Sequence, residues 1–268
     1  YAEMMAFAEL PSPPGTRFGP VRLVAETGST NADLLARAEA GEPTGSVLVT
    51  DHQRAGRGRQ RRVWHDEPGN SLLVSVLLRP PADLAPLVPL LAGLAAIDAV
   101  AAIVAELDPG RADATTPAGL KWPNDVLIPG LGERKLAGIL AEATTLGHEL
   151  AVVVGMGMNL RWMTPPPAEI EARAVTLTEV AGGPVERERV LAEFLVGLER
   201  WLVAAEAGGP VLEAYRSACL TIGREVRFAS AGGRHHGVAT DVSDRGTLLL
   251  DTVEGQRIEL SAGDAHHL

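Results

Sequence analysis

Residues 1–20 are Pro-rich and show no regular apolar period. From Val21 the pattern becomes ordered. Val21–Glu26 predicts a strand, Gly28 a turn and Thr30–Ala40 a helix, with Thr30-x-x-Asp33 resembling a capping box and Gly41 supplying the stop. Ser46–Asp51 predicts a second strand. His52–Asn70 has no apolar period and is expected to be a loop, long enough to carry function. Leu72–Arg79 predicts a third strand. Residues 84–105 are then apolar except for Asp98. A run of about twenty apolar residues can span a bilayer, but this one is Ala-rich, holds Pro and Gly, and has an acid in its middle, so a buried core helix is expected.

Strand patterns next follow one another closely: Leu120–Trp122, Asp125–Ile128, Lys135–Ala143 and Glu149–Asn159. That spacing suits hairpins rather than strand–helix–strand crossovers. Thr164–Ala174 is expected to be Pro-rich loop. Glu186–Glu206 places Val190, Leu191, Phe194, Leu195, Leu198, Trp201 and Leu202 on one helical face, and Pro210–Ala218 adds a short helix. After Thr221 five short strands are predicted in under 50 residues: Glu225–Phe228, Gly237–Asp241, Thr247–Leu250, Arg257–Leu260 and Ala265–Leu268. The fold class is α+β, a mixed, largely antiparallel sheet flanked by helices, followed by a small SH3-like β-barrel. The expected division is 1–20 as a Pro-rich segment, 21–219 as the larger domain and 220–268 as the SH3-like domain.

Composition narrows the function. The 268 residues are 46% hydrophobic but only 4% aromatic, so the core is built from Ala, Leu and Val. The net charge of −10 argues against a general nucleic-acid binder, which needs a positive surface. A single cysteine, Cys219, allows no intrachain disulfide and suits a reducing, cytoplasmic setting. Its neighbours Arg-Ser-Ala-Cys-Leu offer nothing to lower its pKa, so an inert thiol is expected. No basic-then-apolar signal peptide opens the chain.

Against that acidic balance, five arginines fall within nine residues of Gln53-Arg54-Ala55-Gly56-Arg57-Gly58-Arg59-Gln60-Arg61-Arg62. Glycine lets backbone amides approach an anion and arginine adds fixed, bidentate donors, so the segment suits a phosphate or carboxylate clamp; a solvated basic loop is the plain alternative. Lys121-Trp122-Pro123-Asn124-Asp125 puts a lysine at a strand end beside a turn, where it could neutralise a phosphate, and Asp125 could pair with it or help hold a metal. Arg134-Lys135-Leu136-Ala137-Gly138 puts a second lysine at the head of an apolar strand, with Gly138 permitting close approach of backbone or ligand. Gly155-x-Gly157-x-Asn159 fails the dinucleotide-binding pattern, because Leu160 stands where the third glycine belongs. No Gly-x-Ser-x-Gly elbow is present. The pairs His235-His236 and His266-His267 lack metal-ligand spacing and are expected at the surface.

In order, Gly28-Ser29-Thr30-Asn31, Gln53 to Arg59 with Trp64, Lys121 to Asp125, Arg134 to Leu140 and Gly155-x-Gly157-x-Asn159 resemble the biotin–protein ligase family over roughly residues 20–268. The resemblance implies an enzyme that activates biotin with ATP to biotinyl-5′-AMP and transfers the biotinyl group to one lysine of a biotin carboxyl carrier domain of acyl-CoA carboxylases. It implies Mg²⁺ on the triphosphate. It implies Ser29, Thr30, Asn31, Gln53, Arg57, Gly58, Arg59, Lys135 and Gly138 at the biotin. Arg57, Arg59, Trp64, Lys121, Asn124, Asp125 and Asn159 are implied at the nucleotide, and Lys121, Lys135 and Arg57 in catalysis. Some relatives carry an N-terminal helix-turn-helix and repress transcription; with about twenty Pro-rich residues before Val21, no DNA or membrane partner is expected. The Thr164–Thr178 segment sits where the family covers adenosine, yet only Trp162 offers an aromatic nearby. The rival readings are a lipoate–protein ligase, faintly suggested by Arg61 to Asp66, and a non-catalytic biotin or nucleic-acid sensor.

Overall fold

A computed structural model describes residues 8–111, 117–147, 149–230, 233–261 and 263–267. Leu268, the end of the expected last strand, lies outside them. The larger sheet has eight strands in the spatial order β1 (Ala8–Leu10), β2 (Val21–Thr27), β3 (Val47–Gln53), β4 (Ser71–Leu78), β8 (Glu149–Asn159), β7 (Arg134–Leu146), β6 (Asp125–Ile128), β5 (Gly119–Lys121). Only β2 and β3 among these run parallel, Val21 opposite Val47. A parallel pair needs a crossover, and helix α1 (Thr30–Glu39) supplies it. The sheet is therefore mixed and largely antiparallel, as the hairpin spacing predicts.

Side chains alternate across a strand, and here the alternation separates two environments. Leu72, Val74, Val76 and Leu78 of β4, with Val152, Val154, Met156 and Met158 of β8, face the main core. That core is closed by α2 (Val88–Leu107) and α5 (Arg187–Glu206), with the short helices α4 (Leu177–Ala181) and α6 (Val211–Ala218) beside them. On the opposite face α1 packs Leu34 and Ala38 against Val24, Leu48, Leu77, Ala151 and Val153. The helix covers only part of this face. The rest is where Leu73, Gly155 and Gly157 lie, and it opens into a cleft.

Helix α2, with its preceding turn from Ala85, is long and apolar enough to cross a membrane, but 78% of that window is buried inside the fold. Asp98 stays near its outer edge, accepting from Trp201 Nε1 at 2.5 Å and pairing with Arg200. After Cys219 a second sheet forms, in the order β12 (Arg257–Leu260), β11 (Leu248–Thr252), β10 (Gly233–Val242), β9 (Glu225–Ser230), β13 (Asp264–His267), all antiparallel. This is the SH3-like unit, with Val226, Phe228, Ala239, Leu248, Leu250 and Ala265 turned inward.

Several expectations are corrected. The N-cap of α1 is Ser29, not Thr30, and no side chain caps it. Asp33 instead accepts from Thr27 Oγ1, and Thr30 turns toward Gln53, so the capping-box reading fails because both side chains have nearer partners. The Pro-rich segment contributes β1, and the expected loop at 164–174 contains the short helix α3 (Ala168–Glu171). A true capping box does exist at Thr176-x-x-Glu179, which starts α4 and which the sequence reading passed over.

Helices α2 and α5 approach so closely at Gly197 that a Cβ there would lie 3.2 Å from Ala95 Cα and 3.3 Å from its carbonyl oxygen. Backbone cannot move aside as a side chain can. Gly197→Leu is expected to lower stability by about 1–3 kcal/mol through overpacking, read as a lower denaturation midpoint with unchanged slope. No loss would mean the helices part freely.

Candidate active site

Absent side chains are what make the cleft possible. Gly138 on β7 and Gly155 and Gly157 on β8 face it, so its floor is backbone rather than Cβ atoms. A Cβ on Gly155 would stand 2.2 Å from Asn31 Oδ1, and one on Gly157 would stand 2.7 Å from the Trp64 ring. Each glycine thus admits a neighbour that a larger residue would exclude. The resulting cavity is about 130 Å³.

One wall is the start of α1. Ser75 on β4 donates to Asn31 Oδ1 at 2.6 Å and lies 2.7 Å from Thr30 Oγ1. The Asn31 amide donates to Leu140 O at 3.1 Å and to Glu142 Oε2 at 3.0 Å. Thr30 donates from its backbone N–H (2.9 Å) and its hydroxyl (3.1 Å) to Gln53 Oε1. Thr30, Asn31, Ser75 and Gln53 therefore form one bonded group at the cleft wall, with Ser29 lining the cleft beside them.

The roof is the arginine loop. Its base is clamped by Asp66, whose Oδ2 lies 3.0 Å from His52 Nδ1 and accepts the Gln53 N–H at 3.3 Å. Burial raises the Asp66 carboxyl above its usual range despite these bonds. Arg57 and Val63 bridge across the loop. Trp64 turns inward over Gly138 and Gly157, with Lys135 Nζ 5.5 Å from its ring. The Trp64 Nε1 and Asp66 Oδ1 atoms are buried with no hydrogen-bond partner among the described residues. Arg57, Gly58, Arg59 and Arg62 complete the roof, and Arg57 also reaches Glu142 at 3.4 Å.

At one end cations gather. Lys135 Nζ pairs with Asp125 Oδ1 at 2.7 Å, and both line the cleft with Asn124. Burial lowers the Arg59 pKa, with Asp125 opposing and Arg62 adding. Burial also lowers that of Lys121, which feels Asp125, Lys135, Glu133 and Arg62. Lys121 stands opposite Asp125 in the β5–β6 hairpin, on the cleft's face of the sheet but outside the lining. Asn159, two residues past Gly157 on β8, is buried outside the lining too, its amide donating to Lys135 O (3.4 Å) and Val175 O (3.3 Å). Asn124 bonds Ile139 O at 3.0 Å. Trp64 lies over the glycine floor and lines the cleft.

The sequence reading missed Ser75, Glu142, Asp66 and His52. Ser75 did leave a signal, as a hydroxyl in the middle of a fully buried strand. It also put His267 at the surface; that side chain is only 10% exposed and bonds Thr221 and Glu133.

Residues 25–159 match the model of the Biotin/lipoate A/B protein ligase family, and residues 221–268 match the Biotin protein ligase C terminal domain. The chain belongs to the biotin protein ligase family. The biotin–[acetyl-CoA-carboxylase] ligase of Mycobacterium tuberculosis is 40% identical to this ligase over 95% of this chain and 91% of its own. The bifunctional ligase/repressor BirA of Bacillus subtilis is 33% identical over 85% of this chain and 68% of its own. Among solved structures, the Aquifex aeolicus biotin protein ligase in complex with biotin and ATP superposes with a TM-score of 0.71 at 29% identity, over 92% of this chain and 98% of that one.

The roof rests on Trp64, and Trp64 rests on Gly157. Gly157→Val is therefore expected to expel the indole and speed tryptic cleavage between Arg54 and Arg62 by about tenfold or more, equivalent to about 1.4 kcal/mol of loop opening. Unchanged cleavage would show that the loop is held by other contacts.

Proposed function

We propose that this chain joins the carboxylate of biotin to ATP, forming biotinyl-5′-AMP, and passes the biotinyl group to one lysine of a biotin carboxyl carrier domain. The observation that supports it best is a glycine-floored slot closed by paired arginines and ending at a cluster of lysines. Such a site can take a compact ring with polar groups toward the α1 wall and hold its carboxylate against a phosphate.

The chemistry needs no nucleophile from the protein. The carboxylate oxygen attacks the α-phosphorus and pyrophosphate leaves. The carrier amine then attacks the acyl carbon, loses a proton and releases AMP. Cys219 is no candidate for a covalent step, since burial pushes its thiol up and it lies outside the cleft. The chain's part is position and charge. Ser29, Thr30, Asn31, Gln53, Gly138 and Trp64 would hold the ring system. Arg57 and Arg59 would close over the carboxylate and adenylate with Gly58 between them. Lys135, kept in place by Asp125, would face the reacting atoms, and Lys121, on the far side of Asp125, would draw on the α-phosphate. Burial holds the Lys121 ammonium below its usual pKa, so a bound phosphate gains more from it than from a solvated lysine. Asn124 and Asn159 would act chiefly by fixing the strands that carry these groups.

Among the described residues no three metal-ligating side chains cluster, and Asp125, the one carboxylate lining the cleft, is paired with Lys135. The residues thus do not fit a protein-built Mg²⁺ cage, and any Mg²⁺ would arrive on the triphosphate. A single cysteine and a net charge of −10 favour a reducing cytoplasm and count against DNA as a partner.

Mass spectrometry of a carrier domain incubated with the chain, ATP and biotin is expected to show one added biotinyl group, with lipoate giving none; equal labelling by lipoate would overturn the substrate. Lys121→Ala is expected to leave biotin binding intact by calorimetry while cutting pyrophosphate release on the order of 10²–10³-fold. Unchanged release would remove Lys121 from the site. Biotin with ATP is expected to slow tryptic cleavage between Arg54 and Arg62 about tenfold, because bound anions give Arg57 and Arg59 partners; indifference to ligand would mean the roof is preformed.

A further inference from the structure

Among the described residues, none that lines the cleft comes from the C-terminal sheet. Yet that part of the chain grips both neighbours of Lys121. The Leu220 N–H donates to Leu120 O at 2.8 Å. The Trp122 N–H donates to Thr221 Oγ1 at 3.0 Å. The Trp122 indole donates to Gly246 O at 3.0 Å and its ring meets Phe228 at 6.0 Å. Lys121 is therefore held on either side by bonds that a hairpin of its own sheet does not supply.

Thr221 is fully buried, and a buried hydroxyl is costly unless it is bonded. Its oxygen lies 3.0 Å from His267 Nε2, and His267 Nδ1 lies 3.2 Å from Glu133 Oε2. Arg224 reaches the other oxygen of Glu133 at 2.5 Å. One arrangement of protons satisfies all of these at once. His267 donates from Nδ1 to the carboxylate and accepts the Thr221 hydroxyl at Nε2, which leaves the Thr221 oxygen free to accept from Trp122. Glu133 in turn sits two residues before Lys135. The line Trp122–Thr221–His267–Glu133 thus ends beside both lysines.

We propose that Thr221 and His267 are positioning residues for adenylate formation: the Thr221 hydroxyl, oriented by His267, fixes the backbone at Lys121 and so the reach of its ammonium toward the phosphate. This rests on the role of Lys121 proposed above. A displacement of about 1 Å at a reacting group can cost on the order of a hundredfold in rate, whereas binding of biotin in the glycine slot does not depend on it.

Thr221→Val keeps the shape and removes the acceptor; Thr221→Ser keeps the acceptor. At saturating biotin and ATP, Thr221→Val is expected to release pyrophosphate at least about tenfold more slowly, with biotin affinity within about twofold of the parent, and Thr221→Ser to stay within about threefold. A merely structural bond would lower the melting temperature and leave the turnover of the folded fraction unchanged, and that result would overturn the inference. Should Thr221→Val not fold, the same rate and affinity readouts on His267→Ala, with His267→Gln as the rescue, decide it: loss without rescue by Gln, or no loss, counts against positioning. Lys121→Ala run alongside separates the two claims. Full rate in Lys121→Ala overturns the reading of that lysine and the positioning with it, whereas loss there with full rate in Thr221→Val overturns the positioning alone.

Discussion

The larger sheet has to bury one face completely, and the period of two along its strands sends every second residue to the other. Helix α1 covers that second face over Leu77, Ala151 and Val153 and then stops. Beyond it the sheet carries Gly138, Gly155 and Gly157, where no side chain rises to meet solvent or a neighbour. Everything in the cleft depends on this uncovered strip. Asn31 can enter because Gly155 has no Cβ, and Trp64 can lie down because Gly157 has none. The polar wall, the arginine roof and the lysines at the end are arranged around space that these absences leave.

The charges in the cleft follow a second constraint. An acidic protein collects Lys121, Lys135, Arg57, Arg59 and Arg62 around one space, and these repel one another. Carboxylates hold them in place: Asp125 for Lys135 and Glu142 for Arg57. Exposed pairs of this kind add little stability, and Arg57 is half exposed, so their effect is orientation. The more deeply placed Arg59 and Lys121 are driven the other way, their pKa values lowered by burial. A fixed cation in such a desolvated place acts more strongly on a nearby anion than one in water does.

Side chains of the Lys121–Asp125 stretch also brace the framework around the cleft. Trp122 is buried between the two sheets, Asn124 bonds the backbone of β7, and Asp125 secures Lys135. Asn159 likewise spends its amide on the backbone at Lys135 and Val175, tying the segment after α3 to the rim of the cleft. A site that works by position needs stiff supports, and Asn124 and Asn159 brace the strands through backbone carbonyls.

The apolar periods alone determined the strands, the long helices and the change to short strands after Thr221, because burial selects residues locally along each element. Glycine, arginine and lysine in fixed order marked the loop and the rim, since close approach and fixed charge need those residue types wherever the chain runs. The sequence could not say that Thr30 faces Gln53 rather than capping its own helix, that Ser75 and Glu142 complete the wall, that Asp125 belongs to Lys135, or that His267 is buried against Thr221 and Glu133. These partners lie from 10 to 134 residues apart. Only the packing of α1, the arginine loop and the C-terminal sheet onto one eight-stranded frame brings them within hydrogen-bond reach, and a polar side chain takes the partner that packing provides.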